Sequence, residues 1–238
     1  MDKLNNHALK LGIKLTHAQL EQFETYYREL ADWNEKINLT SITDYEEVQV
    51  KHFLDSLTVI LAIKDEDKAR SLRVIDVGTG AGLPGIPLKI AFPGYTLSLL
   101  EATGKKIKFL EHTVLRLGLK DVEIIAGRAE EVAHNAAYRE KFDIALSRAV
   151  ASLPALVELA LPFCAIGGYF IAQKKGNIQE EIEQSAKAID LLGGCLRGVK
   201  PVELEGLGDE RILVIIDKEK PTPPAYPRRP GMPVKRPL

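Results

Sequence analysis

A short acidic and glycine-rich segment carries the clearest chemical signal in this sequence. The apolar run Leu72–Val77 has Asp76 near its end and leads into Gly78-Thr79-Gly80-Ala81-Gly82. Glycine allows a turn with positive φ and lets a ligand lie against bare backbone. An apolar helical pattern follows the loop. The segment therefore predicts the strand, turn and helix that open a nucleotide-binding α/β sheet.

Three features of this segment and its surroundings distinguish between two cofactor classes. Asp76 would repel a dinucleotide pyrophosphate at the end of the first strand, but it can accept from loop amides or from an amino-acid ammonium. The spacing Gly78-x-Gly80-x-Gly82 also differs from the G-x-G-x-x-G of dehydrogenases. The last two predicted strands have no helix between them, as in a seven-stranded methyltransferase sheet. These features favour S-adenosylmethionine over a dinucleotide.

Two further acidic positions fit the same ligand. Glu101 ends the second predicted strand, where a carboxylate can accept from the two hydroxyls of a ribose. The alternative is a surface acid beside neighbouring lysines. Ala129 and Glu130 follow the third strand and could contact the edge of an adenine. The alternative for Glu130 is an acid that stabilises a helix start.

Two basic positions lie after the fourth and fifth predicted strands. Arg148 follows the buried run Phe142–Leu146, at the edge where ligands of open α/β sheets bind. An arginine at this position requires an anionic or aromatic partner, which indicates a functional role. The alternative to a functional role is a structural ion pair with an acidic residue of a helix. Lys175, in Lys174-Lys175-Gly176, is a second candidate contact, or simply solvated charge.

A polar triplet lies in the N-terminal part of the chain. His52, Asp55 and Ser56 are spaced so that they share one helix face. A hydrogen-bonded structural cluster is favoured. A Ser-His-Asp hydrolase site is disfavoured, because one helical turn gives the wrong relay geometry and the sequence has no nucleophile elbow.

Alternating strand and helix patterns predict the fold. The class is α/β, with a doubly wound, seven-stranded, mostly parallel sheet of the Rossmann-like type, closed by an antiparallel strand. Residues 1–70 form a helical cap, in which Thr16 and Gln19 resemble a capping box that opens a long amphipathic helix. Residues 71–217 form the cofactor domain, and residues 218–238 form a basic tail.

The tail contains seven prolines, and six basic residues against one acidic residue. Prolines predict that it forms no regular helix or sheet. Two interpretations stay open at this point. The tail is either disordered, or pinned near the active face so that Arg228 and Arg229 meet phosphates.

Composition limits the other possibilities. The formal net charge of -1 excludes a strongly basic RNA-coating protein, although not a local basic patch. Two cysteines and no His/Cys cluster predict reduced thiols and no metal site. The apolar stretch Ala149–Ala172 contains Pro154, Glu158 and Pro162, so no membrane span is expected. Without a signal-like N-terminus, the expected location is the cytoplasm, and a monomer is expected.

Five segments together resemble a known family. They are Trp33-Asn34-Glu35-Lys36-Ile37-Asn38-Leu39-Thr40, His52-Phe53-Leu54-Asp55-Ser56-Leu57, Asp76 to Gly85, Ser147-Arg148-Ala149-Val150 and Tyr226-Pro227-Arg228-Arg229-Pro230-Gly231. In this order they are similar to the bacterial 16S rRNA guanine-N7 methyltransferases, the glucose-inhibited division protein B family.

The resemblance implies transfer of a methyl group from S-adenosylmethionine to N7 of a guanine in the decoding-region loop of 16S rRNA, as free RNA or in the small ribosomal subunit. It implies cofactor contacts at Gly78, Leu83, Glu101, Ala102, Thr103, Ala129, Glu130 and Arg148. Asn38, His52, Arg228 and Arg229 are expected to contact RNA. The alternatives are a methyltransferase for a small molecule or protein, and an RNA-binding protein that holds the cofactor without turnover.

The implied chemistry needs no general base. Guanine N7 has an in-plane lone pair and no proton, so orientation is the main requirement. The chain has no Asn-Pro-Pro-Tyr run for exocyclic amines and no Pro-Cys nucleophile for pyrimidines. Arg148 and Lys175 are therefore expected to position the RNA.

Overall fold

The computed structural model of the protein describes residues 1–148, 151–203 and 210–238. The sheet consists of β1 (Arg73–Val77), β2 (Thr96–Glu101), β3 (Val122–Ala126), β4 (Phe142–Arg148), β5 (Cys164–Lys175), β6 (Gly194–Val202) and β7 (Arg211–Lys218). The predicted end of the sixth strand at Leu204, and Ala149 and Val150 of the segment after β4, lie outside the described residues.

The strand order is β3-β2-β1-β4-β5-β7-β6. The pairs from β3 to β5 are parallel, and β7 is antiparallel to both of its neighbours. The predicted seven-stranded, mostly parallel sheet is confirmed. The antiparallel last strand lies inside the sheet, between β5 and β6, and its first residue therefore reaches the edge where β4 and β5 end.

Helices connect the strands from β1 to β6. They are α6 (Gly85–Ala91), α7 (Gly104–Arg116), α8 (Ala129–Val132), α9 (Leu153–Ala160), extended by a 3-10 turn at Leu161–Phe163, and α10 (Gln179–Leu191). Helices that alternate with parallel strands cover both faces of the sheet and bury its apolar runs. The carboxyl ends of β1, β2, β3, β4 and β5 are left together at one edge.

The cap begins with α1 (Asp2–Lys10), which the sequence analysis did not predict, and continues with α2 (His17–Ile37). The capping box is confirmed, since the Thr16 hydroxyl accepts from the Gln19 amide and the Gln19 side chain accepts from the Thr16 amide. A second helical run contains α3 (Tyr45–Val48), a π-helical segment (Gln49–Leu54) and α4 (Asp55–Leu57). A 3-10 turn (Thr58–Leu61) and α5 (Asp65–Lys68) lead into β1.

The cap and the sheet share one hydrophobic core. Phe23 and Phe53 of the cap are fully buried in the same cluster as Leu99 of β2 and Ile171 of β5. Burial of aromatic side chains supplies much of the free energy that holds such a junction together. The cap is therefore packed firmly enough to place its side chains at the edge of the sheet.

The tail is held against the residues that precede β4, so the interpretation as a disordered tail is wrong, and the phosphate contacts of Arg228 and Arg229 stay a prediction. The Arg139 guanidinium donates to the carbonyl oxygens of Thr222, Pro223 and Tyr226. The prediction that the tail contains no regular helix is wrong at α11 (Met232–Lys235). Pro233 lies in the first turn of this helix, where the missing N–H of proline costs nothing.

No helix in the described ranges is long and apolar enough to cross a membrane.

Candidate active site

The glycine loop turns sharply between β1 and α6. Gly78, Gly80 and Gly82 all have positive φ, of 71°, 60° and 86°. The amides of Gly78 and Thr79 donate to the Leu100 carbonyl of β2 at 3.0 and 3.1 Å. A Cβ on Gly82 would collide with the Ile86 side chain. The loop is thus built on backbone that only glycine adopts at little cost.

Asp76 supports this loop from below. Its Oδ2 accepts from the Thr79 hydroxyl at 2.6 Å and from the Gly85 amide at 2.8 Å. Its Oδ1 is buried and has no hydrogen-bond partner. Burial raises the pKa of the Asp76 carboxyl to about 6, against the lowering effect of its hydrogen bonds. Asp76 therefore fixes the shape of the loop and does not line the cavity above it.

Glu101 connects the loop to the end of β2. Its Oε2 accepts from the Gly80 amide at 3.0 Å, and its Oε1 accepts from the amides of Ala102 and Thr103 at 3.0 and 2.8 Å. Glu101 is buried, with 7% of its surface exposed. The interpretation as a surface acid is therefore wrong, because this carboxylate lies in the wall of a cavity and holds its backbone in place.

That cavity, here called the loop cavity, has a volume of about 510 Å³. Nine of the predicted site residues line it: His52, Gly78, Gly80, Leu83, Glu101, Ala102, Ala129, Glu130 and Arg148. Seven predicted residues are not in its lining: Asn38, Asp76, Gly82, Thr103, Lys175, Arg228 and Arg229.

The tail contributes to the wall of the loop cavity. Glu130 is buried, and its Oε1 accepts from the Gly231 amide at 2.8 Å. Val234 of α11 is itself part of the lining. One oxygen of Glu130 is thus already used to hold the tail, beyond the adenine contact that the sequence suggested.

A second cavity of about 340 Å³ adjoins the first and is here called the basic cavity. His52 and Arg148 line both. The other lining residues are Ile42, Lys51, Asp55, Gln173, Lys174, Lys175, Glu181 and Arg211. Five basic side chains against two acidic ones give this lining an excess of positive charge.

An ion-pair cluster forms the shared wall. Arg148 Nη1 donates to Asp55 Oδ2 at 3.0 Å, and Arg211 Nε donates to Asp55 Oδ1 at 3.0 Å. The side chains are 14%, 5% and 4% exposed for Arg148, Arg211 and Asp55. The ion pair expected as the alternative for Arg148 is therefore present, and the same guanidinium also faces both cavities. One carboxylate between two guanidiniums leaves a net positive charge there.

His52 is held in one tautomer. Its Nδ1 lies 3.1 Å from the Lys51 carbonyl, which can only accept, so Nδ1 carries the proton. Nε2 then accepts from the Thr40 hydroxyl at 2.7 Å. Burial, followed by the nearby Arg148 charge, lowers the pKa of His52 to about 4. The imidazole is neutral at pH 7.

The three members of the predicted triplet are hydrogen-bonded to different partners and not to one another's side chains. The Ser56 hydroxyl donates to the His52 backbone carbonyl at 2.6 Å, and Asp55 pairs with arginines. The three side chains thus form no Ser-His-Asp relay, and a hydrolase site is excluded at this position.

The remaining predicted RNA contacts lie further out. Lys175 is exposed and lines the basic cavity, and Asn38 is exposed at the C-terminus of α2. Arg229 is exposed, whereas Arg228 donates through Nη2 to the buried Glu158 at 2.6 Å. Arg228 therefore anchors the tail, and Arg229 is the member of this pair that faces solvent.

Sequence reasoning missed four residues that shape the site. Tyr26 of α2 donates its hydroxyl proton to the Ala81 carbonyl, so the cap holds the glycine loop directly. Gln173 and Arg211 line the basic cavity, and Val234 lines the loop cavity. Gln173 precedes the lysines at the end of β5, and an antiparallel β7 brings Arg211 to the same edge. Two features of the sequence could therefore have identified them: the position of Gln173 next to Lys174, and the antiparallel direction of the last strand, which begins at Arg211.

Comparisons with known proteins agree with this geometry. The family model described as "GidB: rRNA small subunit methyltransferase G" matches residues 19–207. A protein named ribosomal RNA small subunit methyltransferase G from Dehalococcoides mccartyi is 55% identical, covering 96% of this chain and 95% of that protein. The Roseiflexus castenholzii protein of the same name is 47% identical over the full length of both.

Solved structures show the same fold at low sequence identity. The Methanococcus jannaschii fibrillarin pre-rRNA processing protein has a TM-score of 0.54 and 16% identity, covering 71% of this chain and 76% of its own. A mutant of MtNAS in complex with S-adenosylmethionine has a TM-score of 0.54 and 17% identity, covering 91% of this chain and 77% of its own. The fold is that of class I S-adenosylmethionine methyltransferases, and the chain belongs to the GidB family of rRNA small subunit methyltransferase G proteins.

Proposed function

We propose that this protein transfers a methyl group from S-adenosylmethionine to N7 of one guanine in the decoding-region loop of 16S rRNA. The observation that carries the proposal is the pair of adjoining cavities that share His52 and Arg148. One cavity is suited to the cofactor and the other to a nucleotide. The two reactants would meet at the shared residues. The family match supports RNA as the substrate.

The residues of the loop cavity fit the cofactor. Its volume lies within the range of small-molecule sites. Glu101 can accept from the ribose hydroxyls at the end of β2, and the buried, unpaired Oδ1 of Asp76 adds negative potential beneath the loop, where an ammonium would be stabilised. The bound cofactor supplies a methyl group on a positively charged sulfonium, which needs no activation by an acid.

The neutral state of His52 suits the attacking atom. Guanine N7 reacts through its lone pair, which a hydrogen-bond donor would occupy. The Nδ1–H of His52 is directed to the Lys51 carbonyl, and Nε2 already accepts from Thr40. This side chain therefore shapes the junction of the two cavities without competing for N7.

Positive charge in the basic cavity would orient the nucleotide. Arg148 and Arg211 share one carboxylate, and Lys175 extends the basic surface toward solvent. Guanidinium groups bind phosphate oxygens well because their donors are planar and fixed, and phosphate contacts leave the lone pair of N7 free. We further propose that the protein acts as a monomer in the cytoplasm, where its RNA substrate is assembled.

The experiment is a reaction on unmethylated small-subunit RNA, both free and assembled into subunits. N7-methylguanosine creates a site for borohydride and aniline cleavage, which primer extension locates. A single new cleavage site that requires both enzyme and cofactor is the expected result. Methyl incorporation without that cleavage would reject N7, and binding without incorporation would reject the enzyme function.

A further inference from the structure

Gln173 at the end of β5 has an unusual hydrogen-bond pattern. Its Nε2 donates to the Asp55 carbonyl at 2.7 Å and to the Thr58 hydroxyl oxygen at 3.2 Å. A carbonyl can only accept, so this end of the amide must be the nitrogen. The other end, Oε1, is buried and has no partner. Buried acceptors without a partner are uncommon in native proteins and call for an explanation.

The position of Gln173 supplies one. The residue is 5% exposed and lines the basic cavity with Arg148, which also faces the loop cavity. A guanine whose N7 is directed to the junction of the two cavities has its opposite edge inside the basic cavity. That edge carries two donors, N1–H and the 2-amino group.

We propose that Gln173 is a specificity-determining residue, whose Oε1 accepts hydrogen bonds from the N1–H and 2-amino donors of the target guanine. The inference rests on the proposed function and adds the residue that recognises the base. Adenine presents N1 as an acceptor at the same place, so its lone pair would face that of Oε1. A site with a buried acceptor rejects a base that leaves the acceptor unpaired.

The contact is tested by changing the base and the side chain together. The wild-type target guanosine is replaced by inosine, which lacks the 2-amino group, or by 1-methylguanosine, which lacks N1–H. Both analogues keep N7. Each RNA is methylated by the wild-type protein and by the Gln173→Leu and Gln173→Glu variants. The matched control is Gln184→Leu, an exposed residue of α10, with expected wild-type activity.

We expect the wild-type protein to have about 10-fold lower kcat/KM on inosine RNA and at least about 100-fold lower on 1-methylguanosine RNA. Gln173→Leu is expected to act equally on guanosine and inosine RNA. Gln173→Glu keeps an acceptor but loses the donor to the Asp55 carbonyl, so it is expected to keep the preference for guanosine at a lower activity on both RNAs. This non-additive pattern distinguishes base reading from a structural role, which would lower both activities by the same factor.

Two outcomes would overturn the inference. One is equal losses on both RNAs in Gln173→Leu. The other is wild-type methylation of 1-methylguanosine RNA at the rate of guanosine RNA, which needs no variant and so applies even if Gln173→Leu does not fold. Neither outcome touches the proposed function, which fails only if unmodified guanosine RNA is not methylated at N7.

Discussion

The two halves of the carboxyl edge of the sheet are built by different means. On the side of β1 and β2, the carboxylates of Asp76 and Glu101 accept mainly from backbone amides of nearby loops. On the side of β4, β5 and β7, the groups pair with side chains far away in sequence. Arg148 and Arg211 meet Asp55 across 93 and 156 positions.

This difference separates two tasks. The loop cavity takes its shape chiefly from one βα unit and the strand beside it. The basic cavity depends more on the cap, which supplies Ile42, Lys51, His52 and Asp55, although His52 also lines the loop cavity. Substitutions on the first side should therefore act on the cofactor, and substitutions on the second side on the RNA step and on cap docking.

The largest effect on activity is expected from Arg148→Ala. Loss of this guanidinium removes a positioning group at the junction of both cavities, and misplacement of reacting groups by about 1 Å costs about 100-fold in rate. We expect methylation to fall by at least that factor, in an assay with saturating cofactor. Asp55 keeps Arg211 as a partner, so the fold should be retained in circular dichroism.

The control for Arg148→Ala is Arg73→Ala. Arg73 begins β1 at the opposite edge of the sheet, with its guanidinium over the Phe142 ring. Its removal should leave methylation unchanged. Full activity in Arg148→Ala would show that the basic side does not position the substrate through this residue.

Among the effects on stability, the largest is expected from Asp55→Ala. It leaves two largely buried guanidiniums without their carboxylate, and breaking a buried ion pair in this way typically costs about 3–5 kcal/mol. The free energy of unfolding in urea measures the loss. Asp65→Ala, which removes the exposed partner of Lys68, is the control and should change nothing measurable. A stable Asp55→Ala protein would mean that the cap docks without this cluster.

The same contrast explains which parts of the site could be predicted from sequence. The loop from Asp76 to Gly82, Glu101 at the end of β2, and the capping box of α2 depend on neighbours in sequence, and their types and spacing indicated strand, turn and helix. The mostly parallel, seven-stranded sheet followed from the alternation of strands and helices, whereas the order of its strands came only from the structure.

The partners of the basic side were not readable in this way. The carboxylate that meets Arg148 comes from the cap, and Arg211 reaches the same carboxylate because β7 runs antiparallel inside the sheet. The Tyr26 contact with the loop depends on how α2 crosses the sheet. The order of the tail depends on Arg139 and Glu158, which are far from it in sequence.

The two sides should also respond oppositely to pH. Burial raises the pKa of Asp76 from 3.8 to about 6, so the folded protein holds a proton that the unfolded chain has lost. This contribution to stability falls as pH rises from about 4 to about 6. Burial lowers the pKa of His52 from 6.5 to about 4, so the unfolded chain holds the extra proton. Its contribution rises as pH rises from about 4 to about 6.5.

The two contributions are each about 3 kcal/mol over these ranges and oppose each other. Relative to the wild-type profile, we expect Asp76→Asn to make the unfolding free energy rise more with pH between pH 4.5 and 6.5. We expect His52→Gln to make it fall with pH over the same range. Urea unfolding at several pH values measures both. His17→Gln, at an exposed histidine of α2, should leave the wild-type profile unchanged. If the unfolding free energies of the two variants changed with pH in the same direction, the prediction of opposite slopes would be wrong.

The smallest effect is expected from Tyr26→Phe, which tests the connection between the two sides. Tyr26 is fully buried, stacks on Phe53 of the cap and donates to the Ala81 carbonyl of the glycine loop. Its loss leaves that carbonyl without this donor, at a cost of about 1 kcal/mol in unfolding free energy. Because the hydroxyl acts on the loop and not on the basic cavity, cofactor binding by calorimetry should weaken several-fold. kcat with saturating cofactor should stay near the wild-type value.

Tyr27→Phe is the matched control, since its hydroxyl contacts Thr43 within the cap. If kcat fell and cofactor affinity did not, the cap would act on the site through the basic side alone.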